Sequence, residues 1–303
     1  MCKACFKYNL GDGERLLELS GNPFPNFQVG MDESRKKLLN SLDNAQDITL
    51  IIYNGNIGDD LIVQGTHNLL QNIQYRPVFI RRLQDLDGIK GHTALIRGGG
   101  AWCRAFPFMA TVLPVIEERF EQVVIMPSSF DTKVDSVFQA LSRTKATVFA
   151  RELISYQLIK DICQADYAYD CAFFFDFAPY RRKGQGILHA YRTDRDSAFK
   201  RVPPDNNDIS LTCADLNQWL ETITAYETVK TDRAHVMIAA AMLGKKVLYR
   251  PNKYHKVRGI AQFSLGELDV TEEVQPFFYK ILNLNSKQLK HRRNVAGPLR
   301  YKR

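Results

Sequence analysis

ITLIIYNGNIGDDLIVQGTHNLLQ, residues 48–71, reads as a strand, a glycine-containing turn and a helix in direct succession. Ile48 to Tyr53 is a short β-branched run, Asn54 to Gly58 carries two glycines, and a helix is expected to begin near Asp59. The same alternation repeats outward from it. PVFI (77–80) is followed by ALIRGGG (94–100) with a helical stretch from Ala110 to Phe120, and VVIMPSS (123–129) by KVDSVFQALS (133–142). TVFAR (147–151) precedes ELISYQLIKDI (152–162), and YAYDCAFFF (167–175) closes the series. Brief apolar runs alternating with amphipathic segments predict βα units and a mostly parallel, doubly wound sheet.

A polar, glycine-containing stretch, YRRKGQG (180–186), then interrupts the order and reads as a hinge. Beyond it GILHAYR, ETVKT and VLYRP read as strands, ADLNQWLETITAY and RAHVMIAAAMLG as helices, and TEEVQPFFYKIL (271–282) as a closing helix. The fold class expected is α/β, with two Rossmann-like domains facing a cleft. The boundaries predicted are an N-terminal extension 1–45, a first domain 46–183, a second domain 184–285 and a basic tail 286–303.

Composition narrows the function. The chain has 303 residues, 45% hydrophobic and 24% charged, enough for one large or two medium domains. MCKACFKYNLGDGERLLEL at the N-terminus lacks the order of a secretion signal, and no apolar run approaches the ~20 residues of a membrane span, so a cytoplasmic location is expected. The six cysteines are then expected as thiols, and Cys2 with Cys5 makes one CxxC without the second pair that zinc requires; no metal is expected. Of the net charge of +8, seven units fall between Lys287 and Arg303, where there is no acid. The excess is a tail, which is either a solvated or disordered end or one suited to peripheral contact with anionic lipid at the inner membrane surface. The body lacks a basic stripe with stacking aromatics, which argues against a specific nucleic-acid partner.

Several strand ends carry candidate chemistry, and in a parallel sheet such ends gather on one side. In NGNIGDDLI, Asn56 and Gly58 shape a turn open to backbone approach, while Asp59 is either a helix-start acid or the group that orients a hydroxyl. Gly99 and Gly100 of IRGGGAW mark either a packing turn or a ligand loop. VIMPSSF reads as a strand running into a polar turn with Ser128 at the edge, and Arg151 of ARELIS is an anion contact or an ion-pair partner. YRTDRDS supplies Arg192. TDRAH places Arg233 and His235 at the mouth of an apolar helix, where free N–H groups and the macrodipole attract anions, with Thr231 or Asp232 as the cap.

In this order GNIGDDLI, RGGGAW, VIMPSSF, ARELIS, YRTDRDS and TDRAHVMIAAAMLGKKVLYRPNKYHKVRG resemble the polysaccharide pyruvyl transferase family over about Ile51 to Leu265. The resemblance implies a GT-B-type protein that moves the enolpyruvyl group of phosphoenolpyruvate onto a sugar of a polysaccharide or its lipid-linked oligosaccharide precursor, giving a pyruvate ketal and phosphate. It needs no cofactor beyond that donor. By matching motif, Arg192, Arg233 and His235 look like the phosphoenolpyruvate site and Asp59 like the acid of the N-terminal loop; His235 and Asp59 are the expected catalytic residues. Ala234 stands where the family commonly has leucine, and Ser128 where it has glutamine. The first change bears on packing, the second on the acceptor side. Two other readings share the glycine loops and basic cleft: a GT-B glycosyltransferase using a nucleotide sugar, and a non-catalytic glycan- or anion-binding protein.

Overall fold

A computed structural model of the chain describes residues 7–8, 17–18, 22–194, 197, 201–252 and 254–273. The described residues up to Thr271 form one compact unit. It opens with an antiparallel pair, β1 (Lys7–Tyr8) and β2 (Leu17–Glu18), and with α1 (Phe27–Asn40), whose cap Asn26 accepts the Val29 N–H at 2.9 Å.

The larger sheet follows. Its elements are β3 (Thr49–Tyr53), α2 (Ile57–Leu69), β4 (Arg76–Ile80), β5 (Gly91–Ile96), β6 (Gly99–Trp102), α3 (Phe108–Glu117), β7 (Phe120–Phe130), α4 (Asp135–Arg143), β8 (Thr147–Ala150), α5 (Leu153–Ile159) and β9 (Ala165–Tyr167). The strand order is β4-β3-β5-β7-β8-β9, with β6 joined to β7, and every pairing is parallel. β3 is buried along its whole length, as a strand covered on both faces must be. The chain leaves β3 toward β4 and returns on the other side as β5, so the sheet has its topological switch point between β3 and β5. In such sheets a crevice opens there beyond the carboxyl ends of the strands.

A smaller sheet is built from β10 (Ile187–Ala190), α6 (Ile209–Thr212), α7 (Leu216–Thr224), β11 (Thr228–Thr231), α8 (Ala234–Met242), β12 (Lys246–Tyr249), α9 (Lys256–Ser264) and β13 (Val270–Glu272). β10, β11 and β12 pair in parallel, in the order β10-β11-β12-β13. α8 is apolar around its circumference, and Ala234 through Ala241 are all buried, which suits a helix packed against α2, α7 and α9 at once. It ends as its sequence demands: Gly244 takes φ 73°, its N–H bonds to Ala241 O, and the Lys245 N–H bonds to Ala240 O. The mixed α/β class with mostly parallel sheets is as expected.

Several local expectations are corrected. β7 does not stop before its serines but runs through Pro127, Ser128 and Ser129 to Phe130, a shift of register between Ile125 and Ser128 admitting the proline. The helix placed over Ala110–Phe120 spans Phe108–Glu117, and Phe120 opens β7. Most of YAYDCAFFF is not strand, because Asp170 accepts the Ala172 N–H and turns Cys171–Phe174 into a 3₁₀ helix. Asp232 does not cap α8: Arg233 is the N-cap residue, and Asp232 Oδ1 instead accepts the Arg192 N–H at 2.7 Å. Thr271 and Glu272 are strand and Glu273 is irregular, while the rest of the expected closing helix, the basic tail and the Cys2–Cys5 motif lie outside the described residues. Among the described residues no helix is long and apolar enough to cross a membrane, and no cluster of three or more His, Cys, Asp or Glu side chains is arranged to hold a metal ion.

Candidate active site

A cavity of about 750 Å³ lies beyond the carboxyl ends of strands from both sheets. Tyr53 ends β3 and Asn54 to Asn56 follow it, Arg97 follows β5, Gly100 lies in β6, Arg192 follows β10 and Arg233 follows β11, so the switch point of the larger sheet is roofed by strand ends of the smaller one. Ala105 to Phe108 form an apolar lip at its rim, with Phe106 partly exposed.

Asp59 has two tasks, one for each oxygen. Oδ2 accepts the Asn56 N–H at 2.9 Å while the Asn56 side chain accepts the Gly58 N–H at 2.9 Å, a reciprocal cap that starts α2 at Ile57. Oδ1 turns to the cavity and lies 3.3 Å from His235 Nδ1 and 3.9 Å from Arg97 Nη1. Burial by itself raises the Asp59 carboxyl, but Arg97, His235 and the Asn56 N–H outweigh it and hold it below the usual range. Gly58 permits the approach, since a Cβ there would stand 3.2 Å from His235 Cβ.

On its other side His235 Nε2 lies 3.3 Å from Arg151 Nη1 and 3.7 Å from Asp170 Oδ2. A neutral ring protonated on Nδ1 satisfies Asp59 and Arg151; an imidazolium faces a carboxylate at each nitrogen. At Nε2 an imidazolium N–H would also face the Arg151 guanidinium, a donor 3.3 Å away. Arg151 is locked behind it by Ser129 Oγ, which accepts from Nε at 2.8 Å, and by Asp170, which accepts from Nη1 at 2.8 Å. Burial opposes an ionised Asp170, yet the bond to His235 and the charge of Arg151 hold its carboxyl far below the carboxylate range.

The remaining cations converge from the smaller sheet. Arg233 is gripped by buried Asp208, Nε to Oδ1 at 2.5 Å and Nη2 to Oδ2 at 2.7 Å, a bidentate pairing that fixes the plane of the guanidinium. Arg192 pairs with Asp194, and Arg97 lies with its guanidinium 4.0 Å from the Tyr53 ring centre. Four buried guanidinia therefore border one small cavity, an arrangement for holding a multiply charged anion.

The profile of the polysaccharide pyruvyl transferase family matches residues 56–254, from the cap of α2 to the segment just before α9, and so takes in both walls of this cavity. The chain belongs to the polysaccharide pyruvyl transferase family. A solved structure of a functionally uncharacterized protein from Klebsiella pneumoniae is similar to it with a TM-score of 0.62 and 25% identity, over 78% of this chain and 94% of that one. No curated protein matches the chain.

In this member of the family Asn56, Asp59, Gly100, Arg151, Arg192, Arg233 and His235 line the cavity together. Gly58, Gly99 and Ser128 do not. Gly99 stands behind the wall at φ 131°, and a Cβ on Gly98 would lie 2.4 Å from Pro127 O, so those two glycines answer to packing while Gly100 borders the cavity. Ser128 Oγ donates to Met126 O at 2.8 Å within its own strand, and Ser129 supports Arg151 instead. Sequence reasoning passed over Arg97, Asp170 and Asp208. Arg97 had a signal, a cation at a strand end before three glycines; Asp170 and Asp208 had none, because their partners lie far along the chain.

Proposed function

We propose that this family member transfers the enolpyruvyl group of phosphoenolpyruvate to a sugar of a polysaccharide or its precursor, closing a pyruvate ketal and releasing phosphate. The observation that carries the reading is an adjacent carboxylate and imidazole, Asp59 and His235, sharing one cavity with the Arg192–Arg233 cradle. A small dianion with a proton-sensitive double bond needs both.

In this reading the sheets are the two lobes of a GT-B-type arrangement, 46–183 on the acceptor side and 184–285 on the donor side. Arg192 and Arg233 hold the donor and His235 gives a proton to its methylene carbon, leaving positive charge on the carbon that bears the phosphate. A sugar hydroxyl adds there and Asp59 takes its proton, which returns to His235 across the 3.3 Å contact. A second hydroxyl of the same sugar then forms the other C–O bond, the C–O bond to phosphate breaks, and phosphate leaves with that proton. The apolar lip at Ala105 to Phe108 suits the weakly polar face of a sugar ring.

Incubation with phosphoenolpyruvate and a panel of glycosides, read by mass for the ketal and by phosphate release, tests the proposal. Ketal formation in the native protein and its loss in His235→Ala are expected. Stabilisation by UDP- or GDP-sugars but not by phosphoenolpyruvate, with no ketal product, would replace it with glycosyl transfer.

A further inference from the structure

In the cavity wall two guanidinia already hold a carboxylate. Arg192 presents Nε and Nη2 to the two oxygens of Asp194 at 2.8 and 3.0 Å, and Arg233 Nη2 reaches Asp194 Oδ2 at 3.1 Å. The fork of Arg192 and one further N–H from Arg233, whose own fork is held by Asp208, meet on one planar anion, a geometry by which arginines recognise a carboxylate. The Asp194 side chain is 29% exposed and those of both arginines only 6%, so the carboxylate stands at the solvent side with the cations behind it.

Asp208 marks the difference between a support and an occupant. It binds the same Arg233, but its side chain is 4% exposed, and the Thr193 N–H and hydroxyl donate to it at 2.8 and 3.1 Å. Nothing entering from the cavity could take its place. Asp194 lines the cavity itself, two residues beyond Arg192 on the same strand-end segment.

We propose that Asp194 is an internal placeholder for the carboxylate of the donor, filling the Arg192–Arg233 subsite in the resting chain and yielding it when the donor enters. The inference rests on the phosphoenolpyruvate reading above and assigns the part of that molecule each cation takes: the carboxylate goes to Arg192 and Arg233, and the phosphate to the Arg97, Arg151 and His235 side. Two consequences follow from the physics. Buried cations facing a vacant cavity are costly, and a resident carboxylate lowers that cost. A ligand must also displace the resident before it binds, so its apparent affinity falls by the fraction of chains in which the subsite is open. Uncharged ligands such as the acceptor sugar offer the arginines too little to displace Asp194, which makes the residue a determinant of donor specificity.

Calorimetric titration of the full chain, Asp194→Asn and Asp194→Ser with phosphoenolpyruvate, pyruvate and inorganic phosphate separates the outcomes, with circular dichroism confirming that each protein is folded. Both variants are expected to bind phosphoenolpyruvate and pyruvate at least tenfold more tightly than the native chain, while inorganic phosphate changes less than threefold. Equal tightening toward all three ligands would reduce the effect to net charge and overturn the placeholder. Unchanged or weaker binding of phosphoenolpyruvate by both variants, with the native chain binding it, would overturn the placeholder and leave the donor reading standing. Failure of all three folded proteins to bind phosphoenolpyruvate would overturn both.

Discussion

Asp59 Oδ1 and His235 Nδ1 lie 3.3 Å apart, although Asp59 follows β3 of the larger sheet and His235 stands in the first turn of a helix belonging to the smaller one. The contact ties the helix start of one sheet to that of the other, and the two roles of Asp59 can be separated by substitution. Asp59→Asn retains an oxygen for the Asn56 N–H but loses the charge toward His235; turnover is expected to fall by roughly 10²–10⁴-fold with little loss of stability. Asp59→Ala loses both, adding a cost of about 1 kcal/mol in urea unfolding. Full turnover in Asp59→Asn would remove the carboxylate from the chemistry.

Asp170 holds Arg151 and faces His235 from full burial. Removing one partner of a buried pair leaves the other charge uncompensated, so Asp170→Ala is expected to lose about 3–5 kcal/mol in chemical denaturation. A cost below 1 kcal/mol would mean that Arg151 finds solvent or another acid.

The fold was legible where short-range pattern sets structure. β3, α2, β8, β10, α7, β11, α8 and β12 all fall where apolar periodicity placed them, and Gly244 ends α8 as its position predicted. The errors share a cause, which is that distant partners decided the outcome. Pro127 and the two serines after it look like a turn, yet β6 and β8 on either side keep them in a strand. Asp232 looks like a cap, yet the Arg192 N–H, 40 residues earlier, claims its oxygen. Of the site, the residues at strand ends could be read, and the acids that aim their side chains could not.

The glycine run offers a test of that division. Gly99→Ala places a side chain at φ 131° and is expected to cost about 1–3 kcal/mol, and Gly98→Ala, meeting a backbone carbonyl, to cost at least as much. Ser128→Ala, losing one bond within its strand, should cost no more than about 1.5 kcal/mol and leave turnover near the native value. Thermal unfolding and the ketal assay on the three variants measure both effects.

Asp232 gives a pH dependence of defined sign. Burial pushes its carboxyl up from 3.8 to about 6 against the opposing pull of the Arg192 N–H and the two arginines, and Oδ2 is buried without a hydrogen-bond partner. Between those values the folded chain holds a proton that the unfolded chain has lost, so this contribution to stability falls as pH rises through the window and the full cost stands above it. Relative to Asp232→Asn, the native chain should gain roughly 2 kcal/mol between pH 7.5 and pH 4, read from urea midpoints. A difference that does not vary with pH would show that the carboxyl titrates normally.

Whether the cavity between the two sheets holds phosphoenolpyruvate is decided by a crystal soaked with that ester. Density for the ester is expected in this cavity, with its anionic groups within hydrogen-bonding distance of Arg192 and Arg233 and its methylene carbon beside the His235 ring. An empty cavity with the ester bound elsewhere, at a concentration that saturates the protein in solution, would contradict it.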